Sequence, residues 1–140
     1  MIVVDTNIIH YCWVRGQHTG TAQAVRRVDP DWHAPILWRS EIRNVLTAYL
    51  RRGFLSRAVI MKILRAADRA FADSEHSVAD DLVLDVVENS KLTAYDAEFV
   101  ALASVFQVPL VTADRAVLKA FPDRALTMEA FLKRAPSSSS

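Results

Sequence analysis

Apolar residues follow two rhythms along this chain. Short unbroken runs mark candidate strands at residues 2–5 and 109–112, with shorter ones at 33–37, 76–78 and 124–127, the last as an edge. Longer stretches repeat apolar positions at i, i+3, i+4 and i+7, the period of a helix with one buried face. Between Asn7 and Val28 one or two helices are expected, broken near Gly16 and Gly20. Ser40 is placed to cap a helix reaching about Arg52, with Ile42, Val45, Leu46 and Tyr49 as its stripe and Gly53 as its stop. Ser56 opens another, striped by Ile60, Ile63, Leu64, Ala67 and Phe71. Asp80 and Asp81 suit the positive end of a helix dipole and begin a helix to about Asn89. Helices at 95–106, 114–120 and 128–134 complete the series. Such alternation predicts an α/β fold, with a small, mostly parallel sheet of four or five strands and helices on both faces.

The pattern also shows where chemistry could sit. Asp5 follows Ile2-Val3-Val4, and Asp114 follows Leu110-Val111-Thr112-Ala113. In an open α/β sheet, ligands bind just beyond the carboxyl ends of the strands. Two more acids, Glu41 and Asp96, fall in the first turns of predicted helices. For those two, helix-dipole stabilisation of about 0.3–1 kcal/mol is a sufficient structural reason. Asp5 and Asp114 end strands, where no cap is expected. Like charges gathered in one pocket raise each other's pKa and oppose folding. A hard divalent cation would compensate them, since Mg²⁺ and Mn²⁺ favour oxygen ligands. Such a cation acidifies water and neutralises charge on a reacting phosphate.

Composition narrows the classes. At 140 residues, half of them hydrophobic, the chain has the size of one domain, expected over 1–134 with a disordered serine-rich end at 135–140. No apolar run nears the roughly 20 residues that span a bilayer. Asp5 and Asn7 interrupt any signal-peptide core, so a cytoplasmic location is expected. Cys12 stands alone, which excludes an intrachain disulfide. Three glycines are too few for a phosphate-binding glycine loop. The histidines show no zinc spacing and no evident partner.

The net charge of +1 hides an asymmetry. Residues 1–70 hold 11 Lys/Arg against 5 Asp/Glu, and residues 71–140 hold 6 against 11. Ten of the eleven cations in the first half are arginine, whose planar fork suits phosphate. A basic flank beside an acidic pocket fits a polyanion held near metal.

These residues resemble the PIN domain family. The resemblance is carried by Asp5-Thr6-Asn7, by Pro35 to Leu46 with Glu41, by Ala94-Tyr95-Asp96-Ala97, and by Leu110 to Asp114. The segment Trp38–Leu46 is most similar to the VapC toxins of type II toxin–antitoxin modules. The resemblance implies a three-layer α/β/α sandwich and a Mg²⁺-dependent endoribonuclease site, with Mn²⁺ as an alternative ion. It implies Asp5, Glu41, Asp96 and Asp114 as metal-binding catalytic carboxylates. By the same likeness Asn7 would steady Asp5 or a metal-held water, and Thr112 would be a supporting hydroxyl near Asp114. Glu98 lies two residues after Asp96, about 200° around a helix, and is expected to face away. The implied partners are an RNA substrate, a cognate antitoxin and a second copy in a homodimer, with higher complexes through the antitoxin and no membrane. Leu50, Phe54 and Leu55, at the tip of the predicted hairpin of helices, are the expected interface residues.

Two other classes compete. A phosphatase using Asp5 as nucleophile would need a second aspartate two residues on, where Asn7 stands. A phosphoacceptor domain would need a lysine after the last strand, and Lys91 is badly placed. A non-catalytic binding module would not need four intact acids.

Overall fold

The computed structural model describes residues 1–134; the serine-rich end expected at 135–140 lies outside them. Among the described residues, five strands alternate with eight helices. In chain order they are β1 (Ile2–Val4), α1 (Thr6–Trp13), α2 (Thr19–Val28), β2 (Trp32–Pro35), α3 (Trp38–Arg51) and α4 (Arg57–Phe71). Then follow β3 (Glu75–His76), α5 (Asp80–Glu88), α6 (Ala94–Phe106), β4 (Leu110–Val111), α7 (Arg115–Ala120), β5 (Ala125–Leu126) and α8 (Met128–Arg134). The alternation predicted from the apolar rhythm is therefore the architecture observed.

The sheet order is β3-β2-β1-β4-β5, and all four pairings are parallel. β1 is central: Ile2 pairs with Trp32 on one side, and Val4 with Val111 on the other. Its three residues are all buried, as a strand covered on both faces must be. On one side α6 lies across β1, β2 and β4, backed by α5; α4 packs on β2, with α1 joining α2, α3 and α4. Ala97, Phe99, Val100, Ala101, Leu102 and Ala103 of α6 are buried almost without interruption, which explains a run too apolar to show a stripe. Because the strands are parallel, β1, β2 and β4 all end on one edge of the sheet.

Helix boundaries show which local signals governed. Ser56 caps α4, accepting from the Val59 N–H at 3.2 Å. Gly53 ends α3 at φ 75°, with its N–H on the Leu50 carbonyl and the Phe54 N–H on the Tyr49 carbonyl, a glycine-terminated helix end. Ser40 does not cap α3. The helix starts earlier, at Trp38, because the Leu37 carbonyl accepts from both Ser40 and Glu41, and because Trp38 is buried against Phe71. Burial of the indole outweighs the weak preference of a serine for a cap.

The fold also pairs residues that the sequence leaves apart. His33 and His76 share a hydrogen bond of 2.8 Å across β2 and β3, and Asp31 accepts from His33 at 2.7 Å. Arg39 grips Glu75 with two parallel bonds of 2.7 and 2.8 Å and also pairs with Asp68. The Trp38 indole N–H donates to the same Glu75. Together these contacts fasten β3 to the start of α3. No helix among the described residues is long and apolar enough to cross a membrane.

Candidate active site

A cavity of about 440 Å³ opens at the carboxyl edge of the sheet. Asp5, Glu41, Asp96 and Asp114 all line it. They arrive from four places: the end of β1, the first turn of α3, the first turn of α6, and the loop after β4. No lysine or arginine lines this cavity among the described residues. Asn7 lines it too; Thr112 lies directly behind it.

The local structure differs from the expectation about caps. Asp5 is itself the cap of α1, and Asp114 is the cap of α7, accepting from Ala116 and Val117. Glu41 and Asp96, whose placement suggested capping, cap nothing: Thr93 caps α6 by accepting from the Asp96 N–H. Each strand passes straight into a helix after a single residue or short loop, so the strand-end acid becomes the cap. The structural reason thus belongs to the opposite pair.

Hydrogen bonds hold the carboxylates of Asp5, Glu41 and Asp114 in place. Both oxygens of Asp5 are engaged: the Thr6 N–H donates to Oδ1 at 2.8 Å and the Thr112 hydroxyl donates to Oδ2 at 2.7 Å. Thr112 also accepts from the Asp114 N–H at 3.0 Å, so one hydroxyl ties two of the acids together. The Thr6 hydroxyl donates to Glu41 Oε1 at 2.8 Å. Asn7 makes no hydrogen bond to Asp5; its Oδ1 accepts from the Ala113 N–H at 3.2 Å and ties α1 to the loop after β4.

The electrostatics is that of uncompensated negative charge. Burial pushes the Asp5 carboxyl up to about 6, opposed by hydrogen bonds from Thr112 and Thr6 and reinforced by the charges of Glu41 and Asp96. Burial raises Glu41, against the Thr6 hydrogen bond and with Asp96 adding to it. Burial also raises Asp96, with Asp114 adding to it and Thr93 opposing. The acids therefore sense one another across the cavity. Glu98 does not line the cavity, yet it is only partly turned away: burial and the charge of Glu41 both raise its carboxyl.

A family model described as "PIN domain" matches residues 2–122. The chain belongs to the PIN domain family. A PIN domain is generally a nuclease fold, and members usually bind divalent metal. A search of solved structures found similarity to the crystal structure of PAE2754 from Pyrobaculum aerophilum, at 23% identity and a TM-score of 0.74. The alignment covers 96% of this chain and 95% of that one, a likeness of fold. No curated protein matched.

Do the residues of this PIN domain suit a divalent cation? In kind they do: the donors are carboxylate oxygens, two of them steadied by threonine hydroxyls, with no side-chain cation to neutralise them. In position they are not drawn together: among the described residues no three acidic, histidine or cysteine side chains stand close enough to hold one ion. The donor chemistry suits a hard cation, while the spacing of the acids does not form a closed ligand set.

Sequence reading missed Thr6, Ser40, Asn44 and Tyr95 as cavity residues. Thr6 was findable as the hydroxyl next to Asp5. Tyr95 carried a signal too, an aromatic in a first turn with no apolar stripe to join; it is 64% exposed at the cavity. His10 lines the same cavity and shares a 3.1 Å hydrogen bond with Tyr49.

Proposed function

We propose that this PIN domain is a divalent-cation-dependent endoribonuclease, and that it acts as the toxin of a type II toxin–antitoxin pair. The observation that carries the reading is the cavity itself: four carboxylates from four separate elements, with no cation among the residues lining it. An acid cluster of this kind costs folding free energy and is retained for chemistry.

Asp5, Glu41, Asp96 and Asp114 would hold Mg²⁺, or Mn²⁺ in its place. The cation would supply charge neutralisation at the scissile phosphate and acidify water for the attack. The protein's own part is positioning. Thr112 and the Thr6 N–H fix the Asp5 carboxylate, and Thr6 fixes Glu41. Asn7 locks the floor by joining α1 to the loop after β4. Tyr95 offers an exposed aromatic face at the mouth, which suits an unstacked base of single-stranded or looped RNA.

The toxin assignment rests on the likeness of Trp38–Leu46 to VapC proteins. Its partners would be a small antitoxin and a second copy of the chain. Leu50 and Phe54, 47% and 67% exposed at the end of α3, are apolar surface available to such a partner. Induced expression followed by sequencing of RNA 5′ ends tests the whole reading. New ends at a defined site are expected with the wild-type chain and none with Asp5→Asn. A wild-type pattern from Asp5→Asn would overturn it.

A further inference from the structure

The carboxyl edge of the sheet carries a second cavity, of about 220 Å³, beside the acidic one. It lies past the ends of β4 and β5. Tyr11 and His18 form one wall, their ring centroids 4.5 Å apart. Arg115 and Glu129 stand on the others. Thr112 and Ala113 form the partition between the two cavities. On the far side of that partition Thr112 bonds Asp5, and Ala113 bonds Asn7.

Arg115 is exposed and has no hydrogen-bond or ion-pair partner among the described residues. Asp114 precedes it, but the Asp114 carboxylate is turned to the N–H groups of Ala116 and Val117, at 2.9 and 3.4 Å. Arg115 enters no ion pair among the described residues. Among the residues lining the two cavities it supplies the only guanidinium, and neither is lined by a lysine. A cation, an aromatic wall and a volume suited to one base lie one partition away from four acids.

Resting on the nuclease reading above, we propose that this second cavity holds the nucleotide adjoining the scissile phosphate of a single-stranded RNA. The base enters against Tyr11 and His18, and Arg115 binds the neighbouring phosphate. Stacking on aromatic side chains tolerates any base, so the subsite sets strand position more than sequence. Glu129 sets the orientation. It repels a phosphate placed deep in the cavity, which leaves the phosphate outside, at the exposed side of Arg115. An RNA strand would then run along the sheet edge from Tyr95, across the acids, to Arg115.

The test is fluorescence anisotropy with a short labelled single-stranded RNA, in Mg²⁺, using the full chain carrying Asp5→Asn so that the RNA stays intact. Adding Arg115→Gln is expected to weaken binding roughly fivefold or more and to lower the slope of log affinity against log salt by about 0.7. His18→Ala is expected to weaken binding with the salt slope kept. Lys119→Gln, exposed in the last turn of α7 and away from the carboxyl edge, is expected to change neither. An RNA shortened by the flanking nucleotide should lose the Arg115 effect. Unchanged affinity and slope in Arg115→Gln would overturn the subsite, as would an effect that persists on the shortened RNA, or no RNA binding by either chain. Cleavage by the wild-type chain, run in parallel, separates this from failure of the nuclease reading. An active wild type with an inert Arg115 sinks the subsite alone, and an inactive wild type sinks both.

Discussion

Two groups of carboxylates in this molecule are held in opposite ways. Glu75 and Asp68 meet the Arg39 guanidinium, and the paired hydrogen bonds of Arg39 hold Glu75 below the usual glutamate range. Asp5, Glu41 and Asp96 line one cavity with no lysine or arginine in its lining, and burial holds all three above their usual range. The first group joins β3 to α3, so its charge favours the fold. The second opposes the fold, and threonine hydroxyls and a backbone N–H hold its Asp5 and Glu41 carboxylates. Charge of the same sign thus serves assembly through Arg39 and opposes it around Glu41, both in the first turn of α3.

Removing a charge should therefore have opposite signs in the two places. The largest effect is expected from Asp5→Asn in chelator. A carboxyl moved from 3.8 to about 6 on folding carries a penalty of about 3 kcal/mol once ionised. The neutral form favours folding, so that stabilisation is complete below pH 3.8 and is lost as pH rises through about 6. Urea unfolding at pH 8 should show Asp5→Asn more stable than wild type by up to about 3 kcal/mol, with the gap closing toward pH 4. A variant less stable than wild type at pH 8 would break the contrast.

Adding Mg²⁺ should remove the penalty by another route. A ligand at about 100 times its dissociation constant stabilises the folded state by roughly 2.7 kcal/mol. Thermal unfolding of the wild type should shift upward with millimolar Mg²⁺, and that of Asp5→Asn should barely move. Equal shifts in both chains would place the ion elsewhere.

Glu75→Gln should do the reverse of Asp5→Asn, and more mildly. It removes one side of a partly exposed pair and should cost about 1–2 kcal/mol at pH 7. Because the folded-state value of Glu75 lies below its ordinary 4.5, the stabilisation is present above that pH and is lost as pH falls below it. Denaturation curves at pH 7 and pH 3.5 should therefore differ in wild type by more than in Glu75→Gln. A gain in stability at pH 7 would remove the distinction between the two groups.

How much of this was readable in the chain follows from the range of each interaction. Strand and helix order was, because apolar period is a local signal that the buried strands and the α4 stripe obey. The start of α3 was not, because burial of Trp38 is tertiary and moved the boundary past Ser40. The four acids were legible as residues, and their arrival in one cavity follows from parallel strands ending on one edge. Their local roles were not. Whether Asp5 or Glu41 caps a helix depends on how abruptly a strand turns into the next helix, which no residue pattern reports. The pairs Thr6–Glu41, Thr112–Asp5, Arg39–Glu75 and His33–His76 span 35 to 107 positions and depend on register, such as Pro35 opposite His76.

The central claim, that the uncompensated acids exist to hold a cation for cutting RNA, meets its most direct test in one assay. Purified wild-type chain and Asp5→Asn, both shown to be folded, are compared for cleavage of single-stranded RNA with Mg²⁺ and with chelator. The account predicts cleavage by the wild type that requires the cation, and a loss on the order of 10³-fold in Asp5→Asn, the scale of several kcal/mol of lost transition-state stabilisation. Cleavage by Asp5→Asn at the wild-type rate in Mg²⁺ would contradict it.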